Sequence, residues 1–370
     1  MAPQATGEAM HIPDGYLSPA SCALGYAAAL PLCYLALRRV ERQLEGRTVP
    51  TLAVFSAFSF VVMMFNLPLP GGTSGHATGL GIAAVVLGPW AGMLAMVVAL
   101  AVQALFFGDG GISTLGANCF NMGCLGVGSA YLLYWAVAAG AALDSRRRVL
   151  AVALAGYLGI NLAALAAAIE FGVQPLWFHD AGGTPLYAPY PLAIAIPAMM
   201  IGHLGPAGIA EALLGGALVS WLQKAQPELL RNTAGTCVAA AGADAPAVTG
   251  WSSLRKMLAL LGALMLLAPL GQLAAGSAWG EWGAADFKDA QKRAQIIAAS
   301  ADQPLPPEAP QGLQQLSGLW QAPLADYALP LLPPALGYSL AALLGVALSL
   351  LLWLLLGRTL GRRRRSSAQR

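Results

Sequence analysis

Residues 77–107 read ATGLGIAAVVLGPWAGMLAMVVALAVQALFF, a run without a single charged side chain. A helix needs only about 20 residues to cross the hydrocarbon core of a bilayer, so this run is too long for one crossing. Gly88-Pro89 lies inside it, within LGPWAG at 87–92, and such a sequence is typical of a tight turn. The run therefore predicts two membrane-spanning helices joined by a turn.

The composition of the whole chain supports this interpretation. Only 10% of its 370 residues are Asp, Glu, Lys or Arg, and 57% are hydrophobic. Soluble domains carry about 25% charged residues, because a surface that faces water must be polar. The composition excludes soluble enzymes, nucleic-acid binders and disordered scaffolds, and it predicts an integral protein in contact with membrane lipid. The five cysteines form no CxxC pair, so we expect them to be reduced and structural.

Further apolar runs lie on both sides of the first one, at 19–37, 51–68, 119–141, 149–171, 191–222, 256–272 and 335–356. With the N-terminus outside, 17 of the 20 Lys and Arg residues fall on the inner side, as the positive-inside rule requires. The three exceptions are Lys288, Lys292 and Arg293. The sequence thus predicts an all-α membrane protein with nine spans, N-out and C-in.

The spacing of the runs predicts a core followed by an appended module. Five parts are expected: an N-terminal extension at 1–9, a seven-span core at 10–222, a cytoplasmic linker at 223–252, a two-span module at 253–357 and a basic cytoplasmic tail at 358–370. The module contains a long external loop, 273–334, whose composition is that of a soluble protein. Loops of this length in compact proteins are usually functional or serve as linkers.

Two histidines lie in turn-rich external segments. His11 belongs to MHIPDGYLSP at 10–19, and His76 belongs to PGGTSGHATG at 70–79. Pro-Asp-Gly favours a turn, and a glycine-dense backbone can approach a ligand closely. Because histidine is the commonest metal ligand, the two segments could together form a cation site. A structural role for each histidine remains the alternative at this point.

Other polar residues could support such a site or act elsewhere. Three polar residues flank the external loop between spans 4 and 5: Asp109, Asn118 and Asn121. They could support the metal ligands through hydrogen bonds, or they could form turns and cap span 5. The sequence contains neither GxxxxGK[ST] nor HExxH, so we expect no ATP site, no zinc-protease site and no cofactor of its own.

Ionisable residues within spans raise a second possibility. Glu170, His203 and Glu211 lie at or within apolar runs, where ionisable groups need partners and are often functional. His203 and Glu211 are eight residues apart, on roughly one helical face. We favour structural pairing within the bundle; the alternative is a membrane-embedded enzyme that uses these two residues.

The motifs resemble a known family. MHIPDGYLSP at 10–19, GGTSGH at 71–76, LGPWAG at 87–92, FGDGG at 107–111 and GAN at 116–118 are similar, in order and spacing, to the CbiM/NikM substrate-binding components of nickel and cobalt energy-coupling-factor transporters. This resemblance covers residues 10–222. The second part, with GSAWGEWG at 276–283, resembles the two-span N component that some members carry as a fusion.

The resemblance implies a function, ligands and partners. Such a protein captures Ni(II) or Co(II) at the outer face of a bacterial or archaeal cell membrane, and it works with a membrane coupling protein and two cytoplasmic ATPases. The implied ligands are the amino nitrogen of Met10, the backbone nitrogen and imidazole of His11, and the imidazole of His76. An amine followed by His gives a planar four-nitrogen set that suits Ni(II). The sequence does not choose between nickel and cobalt.

The sequence departs from the family pattern at its start. The family motif begins at the initiator methionine, whereas here it begins at Met10. Translation could begin at Met10, residues 1–9 could be removed, or the site could be altered. We expect the first, since MAPQATGEA has no signal-peptide character.

Two further expectations concern neighbouring parts of the complex. The module's loop lacks His and Cys, so we expect it to contact the 10–19 and 71–79 segments rather than to bind the ion itself. Deleting 253–370 should then leave ion binding largely intact but strongly reduce uptake. Ala53-x-x-x-Ala57 could allow span 2 to approach the coupling protein closely, although in such an alanine-rich chain the pair could equally arise by chance.

Overall fold

The structure is a computed structural model that describes residues 11–41, 48–69, 73–233, 254–274 and 277–367. The predicted extension 1–9, the proposed ligand Met10 and most of the predicted linker lie outside the described residues. The same is true of Cys237, while the other four cysteines are free thiols, as predicted.

Helices make up most of the described chain. They are α1 (Pro19–Glu41), α2 (Thr48–Met63), α3 (Leu80–Leu87), α4 (Pro89–Val102), α5 (Leu115–Asn118), α6 (Val127–Ala138), α7 (Arg146–Gly172), α8 (Gln174–Trp177), α9 (Leu192–Gly202), α10 (Gly208–Ala225), α11 (Arg255–Leu267), α12 (Ala290–Ala299), α13 (Gln311–Leu316) and α14 (Pro334–Ser367). Three π-helical segments continue or join them, at Gln103–Phe107, Cys119–Gly126 and His203–Ala207. Shorter 3₁₀ turns lie at Pro227–Thr233, Ala268–Leu273 and Ala325–Tyr327.

Seven helical stretches of the described chain are long and apolar enough to cross a membrane. They are Pro19–Glu41, Pro89–Phe107, Leu115–Ala138, Arg146–Trp177, Leu192–Ala225, Arg255–Leu273 and Pro334–Thr359. The other two predicted spans correspond to shorter helices, α2 with 16 residues and α3 with 8. Eight helical residues rise only about 12 Å, well below the thickness of a bilayer. The chain is a multi-pass helical membrane protein, and nine crossings with the N-terminus outside remain a prediction.

The turn predicted within residues 77–107 is present. Gly88 ends α3 and begins α4 with a φ of 80°, a backbone conformation that favours glycine. Pro89 follows at the first position of α4, where its missing N–H costs nothing. The amide of Gly88 donates to the carbonyl of Ala84, 3.0 Å away, and so closes the last turn of α3.

A small β-hairpin interrupts the otherwise helical chain. Strands β1 (Leu67–Leu69) and β2 (Thr73–Gly75) pair antiparallel, with Leu67 opposite Gly75. The predicted span 51–68 is correspondingly too long, because α2 ends at Met63. Pro68 accounts for the last part of the difference, because it has no amide to donate and disfavours the helical conformation of Leu67.

The helices enclose one large apolar core, drawn chiefly from α2, α3, α4, α6 and α7. Helix α2 is buried within this bundle and packs along α14 of the appended module. Both Ala53 and Ala57 are fully buried there. The prediction that these two alanines meet a separate coupling protein is therefore wrong, because their face of α2 is already covered by the chain itself.

A second apolar cluster joins the N-terminal segment to the module's long loop. Ile12, Tyr16 and Leu17 pack with aromatic and aliphatic side chains from the loop, including Trp279, Trp282, Phe287 and Leu313. The loop is partly helical, since it carries α12 and α13. This cluster holds the module against the segment that begins at His11.

Candidate metal centre

The structure brings His11 and His76 together. Their ring centroids are 5.7 Å apart and the rings are inclined by 49°. His11 begins the described part of the chain, in the turn before α1, whereas His76 follows strand β2. Both residues are buried, with 2% and 0% of their surface exposed. Two histidines separated by 65 positions thus share one interior site.

Asp109 fixes the ring of His11. Its carboxylate accepts a hydrogen bond from Nδ1 of His11 and another from Nε2 of Gln103, the latter 2.9 Å long. The hydroxyl of Tyr327, from the module, donates to the same carboxylate. Burial alone would raise the pKa of Asp109, but the adjacent His11 and the hydrogen bonds from His11 and Tyr327 hold that pKa below its ordinary value. Asp109 is therefore an ionised acceptor.

Backbone contacts hold the segment around His11 against the loop that follows α4. Asn118 accepts from the amide of Ile12 at 3.0 Å and donates to the carbonyl of the same residue at 3.1 Å. The amide of Gly111 and the hydroxyl of Thr114 also donate to that carbonyl. The side-chain amide of Asn118 thus bonds both backbone groups of Ile12 and so positions the residue next to His11.

Glycines allow this close approach. Gly110 has a φ of 85°, and a Cβ at this position would lie 2.8 Å from Cβ of His11. A Cβ at Gly111 would lie only 2.3 Å from the backbone nitrogen of Asp14. Asp14 in turn accepts hydrogen bonds from the amides of Ile112 and Ser113. The glycines of the FGDGG motif therefore allow its loop to pack directly against the segment that contains His11 and Asp14, because a side chain at either position would collide with that segment.

His76 is a neutral imidazole. Its burial, with the neighbouring His11 as a smaller cause, lowers the pKa of His76 to about 3. Nδ1 of His76 lies 3.0 Å from the carbonyl of Ala77, so the proton is assigned to Nδ1. Nδ1 of His11 is likewise engaged, with Asp109. Nε2 of His76 therefore carries the lone pair, and Nε2 of His11 is buried without a hydrogen-bond partner.

Glu211 anchors the backbone next to His76. Its carboxylate accepts hydrogen bonds from the amides of Thr78, Gly79 and Gly81, at 2.7, 2.9 and 3.0 Å. These amides lie at the N-terminus of α3, where the helix dipole also favours a negative charge. Glu211 is 1% exposed, so the amides take the place of water for a buried carboxylate.

The module closes over the site, as predicted for its loop. The amide of Ser74 donates to the carbonyl of Ser277 at 3.3 Å, beside strand β2. The hydroxyl of Tyr16 donates to the carbonyl of Trp282 at 2.7 Å. A small cavity remains between core and module, lined by residues that include His11, His203, Trp279 and Glu281.

The structure separates the other predicted residues. His179 is exposed and contacts the carbonyl of Asp180, outside the site. Asn121 does not hold His11; its amide nitrogen donates to Glu170 at 2.7 Å. His203 contacts the carbonyl of Met199 through Nδ1. Each ionisable residue within the bundle thus has a structural partner, and Glu211 is bonded to backbone amides rather than to His203.

Sequence reasoning missed two residues of the site. Gln103 is the only strongly polar side chain in the run 77–107, which was a signal of function, but its partner could not be read from the chain. Tyr327 lies 218 positions from Asp109, and nothing near it in the sequence marks it. Both residues act on His11 through the carboxylate of Asp109.

The described residues do not by themselves complete a metal centre. No group of three or more His, Cys, Asp and Glu residues suited to a metal ion occurs among them. Two imidazoles therefore need further donors, and the nearest candidate in the sequence is Met10, outside the described residues. A chelate through Nδ1 of His11 would also require its bond to Asp109 to break, whereas coordination through Nε2 would not.

Comparisons with known proteins agree on a family. The model of the CbiM family, described as a cobalt uptake substrate-specific transmembrane region, matches residues 11–229, and the PDGLE domain matches 255–362. The fused nickel transport protein NikMN of Rhodobacter capsulatus is 53% identical over 92% of this chain and 94% of its own length. The probable fused nickel transport protein LarMN of Lactiplantibacillus plantarum is 40% identical over 93% and 96%.

A solved structure shows the same core. The crystal structure of a truncated transition metal transporter shares 51% sequence identity with this chain and has a TM-score of 0.54. The match covers 58% of this chain and 98% of the chain in the crystal structure. The relatives are named as transport proteins, which leaves the alternative of a membrane enzyme without support. The chain belongs to the CbiM family of substrate-specific transmembrane proteins for metal transport, with a PDGLE domain fused where the N component was predicted.

Proposed function

We propose that this chain is the ion-capturing membrane subunit of an ATP-driven energy-coupling-factor importer for Ni(II) or Co(II). The ion binds from the outer face of a bacterial or archaeal cell membrane. The observation that carries the proposal is the buried pair His11 and His76, with ring centroids 5.7 Å apart. Imidazole nitrogens suit borderline divalent ions such as nickel and cobalt.

The donor chemistry supports transition-metal capture. The low pKa of His76 keeps its ring neutral at physiological pH, so no proton must leave this residue before an ion binds. In the ion-free site Asp109 orients His11 through Nδ1 and supplies a negative charge beside the ring. In the chelate that the resemblance implies, Nδ1 of His11 exchanges this hydrogen bond for the ion. Met10, with a free amino group, would add the nitrogen donors that the resemblance implies, and Asn118 holds the backbone between these elements.

The proposed partners follow from what the sequence lacks. Without a phosphate-binding loop, the chain needs separate cytoplasmic ATPase subunits for sustained accumulation, together with a membrane coupling protein. The proposed orientation, with nine crossings and the N-terminus outside, puts the His11 segment on the side from which the ion arrives. The ion is the transported substrate and not a resident cofactor.

Uptake of radioactive Ni(II) and Co(II) tests this proposal. Cells that express the chain with its coupling protein and ATPases should accumulate the ion, and cells that lack the ATPases should not. His76→Ala should abolish uptake, whereas His179→Ala, which removes an exposed histidine outside the site, should not. Equal uptake by His76→Ala and the parent would overturn the proposal. Competition between the two ions on purified protein would establish the preference.

A further inference from the structure

A second cavity adjoins the His11–His76 site. It is lined by residues that include His76, Asn121, Met122, Met199 and His203. We name it the inner cavity. His203 also lines the first cavity, which contains His11. One imidazole thus stands between the two spaces.

The inner cavity contains an unsatisfied polar group. Asn121 is 2% exposed, and its amide nitrogen donates to Glu170, which leaves Oδ1 without a hydrogen-bond partner. A buried amide oxygen with no partner is costly, so a native protein that keeps one commonly has a use for it. A carbonyl oxygen backed by a carboxylate is suited to a cation.

His203 supplies a nitrogen donor to the same space. Its Nδ1 contacts the carbonyl of Met199 at 2.8 Å, so the proton is assigned to Nδ1 and the lone pair lies on Nε2. The residue is 5% exposed. Met122 and Met199 line the cavity as well, and thioethers are soft ligands that tolerate changes in geometry. Imidazole, amide oxygen and thioether together favour a borderline divalent ion.

The backbone at these donors is irregular. Asn121 lies in the π-helical segment Cys119–Gly126, and His203 begins the π-helical segment His203–Ala207. In the second segment Gly205 has a non-helical conformation, with φ of −95° and ψ of −117°. Such bulges in membrane-spanning helices turn side chains out of the regular helical register and are frequent at functional sites. Here they direct Asn121 and His203 into one cavity.

We propose that the inner cavity is a second, weaker station for the divalent ion, in which Nε2 of His203 and Oδ1 of Asn121 are donors and Glu170 balances the charge through Asn121. This inference rests on the proposed transport function. The ion passes from the His11–His76 site to the station by way of His203, which lines both cavities. Few protein donors are present, so water completes the coordination and binding is weaker than at the first site.

Equilibrium dialysis of the purified full chain against Ni(II), up to millimolar concentration, tests the station. The parent should bind one ion tightly and a second at least about a hundredfold more weakly, as expected for a site with fewer protein donors. His203→Ala and Asn121→Leu should lose the weaker ion and keep the tight one. His11→Ala should lose the tight ion and keep the weaker one. Saturation of the parent at a single ion would overturn the proposal.

Uptake by the complete transporter gives an independent readout. His203→Gln and Asn121→Leu should reduce Ni(II) uptake about tenfold or more, although tight binding is unchanged. His179→Ala is the matched control, because it removes an exposed histidine. Normal uptake by both cavity variants would contradict the station. Absence of tight Ni(II) binding by the parent would instead contradict the proposed function. The failure of the station and the failure of the proposed function are therefore distinguishable.

Discussion

The hydroxyl of Tyr327, in the appended module, donates a hydrogen bond to the carboxylate of Asp109, in the core. The same carboxylate holds Nδ1 of His11. Burial and the adjacent carboxylate raise the pKa of Tyr327 well above its ordinary value, so the hydroxyl remains a donor. One hydrogen bond therefore links the fused domain to the orientation of a proposed ion ligand.

Tyr327→Phe should weaken Ni(II) binding about tenfold, which is the usual scale for losing a group that orients a metal ligand. The ring remains, so its packing on Phe107 is retained. Isothermal titration calorimetry measures the change. Tyr338→Phe is the control, because that hydroxyl donates to the carbonyl of Met64 and not to Asp109. Equal losses in both variants would mean that the effect is one of stability.

Gly110→Ala should disturb the site through contact with His11. The added Cβ would lie 2.8 Å from Cβ of His11, and the φ of 85° is itself unfavourable for alanine. Gly183→Ala separates these effects, because Gly183 has a similar φ of 81° and no neighbour within 4 Å. Only the first variant should lose Ni(II) affinity, whereas both should be slightly less stable. Unchanged affinity in Gly110→Ala would argue against tight positioning of His11.

Acid should destabilise the ion-free protein through His76. The pKa of a histidine is about 6.5 in an unfolded chain, whereas burial lowers it to about 3 here. Between these values the unfolded chain binds more protons, so the free energy of unfolding falls as the pH is lowered from about 6.5 to about 3. Thermal unfolding measured across this range should show a weaker pH dependence for His76→Gln. If the parent and His76→Gln show the same pH dependence, His76 is protonated as readily in the folded protein as in the unfolded chain.

The sequence predicted the local features of the site better than its assembly. His11 and His76 stood out because turn residues and glycines surround them, and Asp109 and Asn118 because they lie in the same loop system. The partner of Glu211 could not be predicted, since backbone amides at the start of α3 carry no sequence signal. Tyr327 was missed because its role depends on contact between distant segments.

The fold shows the same division. Apolar runs located every long helix and the Gly88-Pro89 turn, because a bilayer imposes a strict minimum on length and polarity. The hairpin Leu67–Gly75 was missed, since two strands of three residues give too short a pattern to detect. Helices α12 and α13 were missed for a related reason: they are stabilised by packing against Tyr16 and its neighbours rather than by a bilayer.

Removal of residues 253–370 should separate binding from uptake. All proposed direct ligands lie in the core, so the remaining chain should still bind Ni(II), weakened about as much as Tyr327→Phe because Asp109 loses the same donor. Uptake by cells with the other subunits should be lost. Binding and uptake should be measured on the same truncated protein. Complete loss of binding would mean that the module helps to build the site directly.

The central claim is that His11 and His76 bind the ion together with a free amino group at Met10. Calorimetric titration of Ni(II) into purified protein that begins at Met10 tests it most directly. The account predicts one tight ion per chain, loss of tight binding in His11→Ala and in His76→Ala, and weaker binding when residues 1–9 are retained. Parent-like binding by both histidine variants would contradict the account.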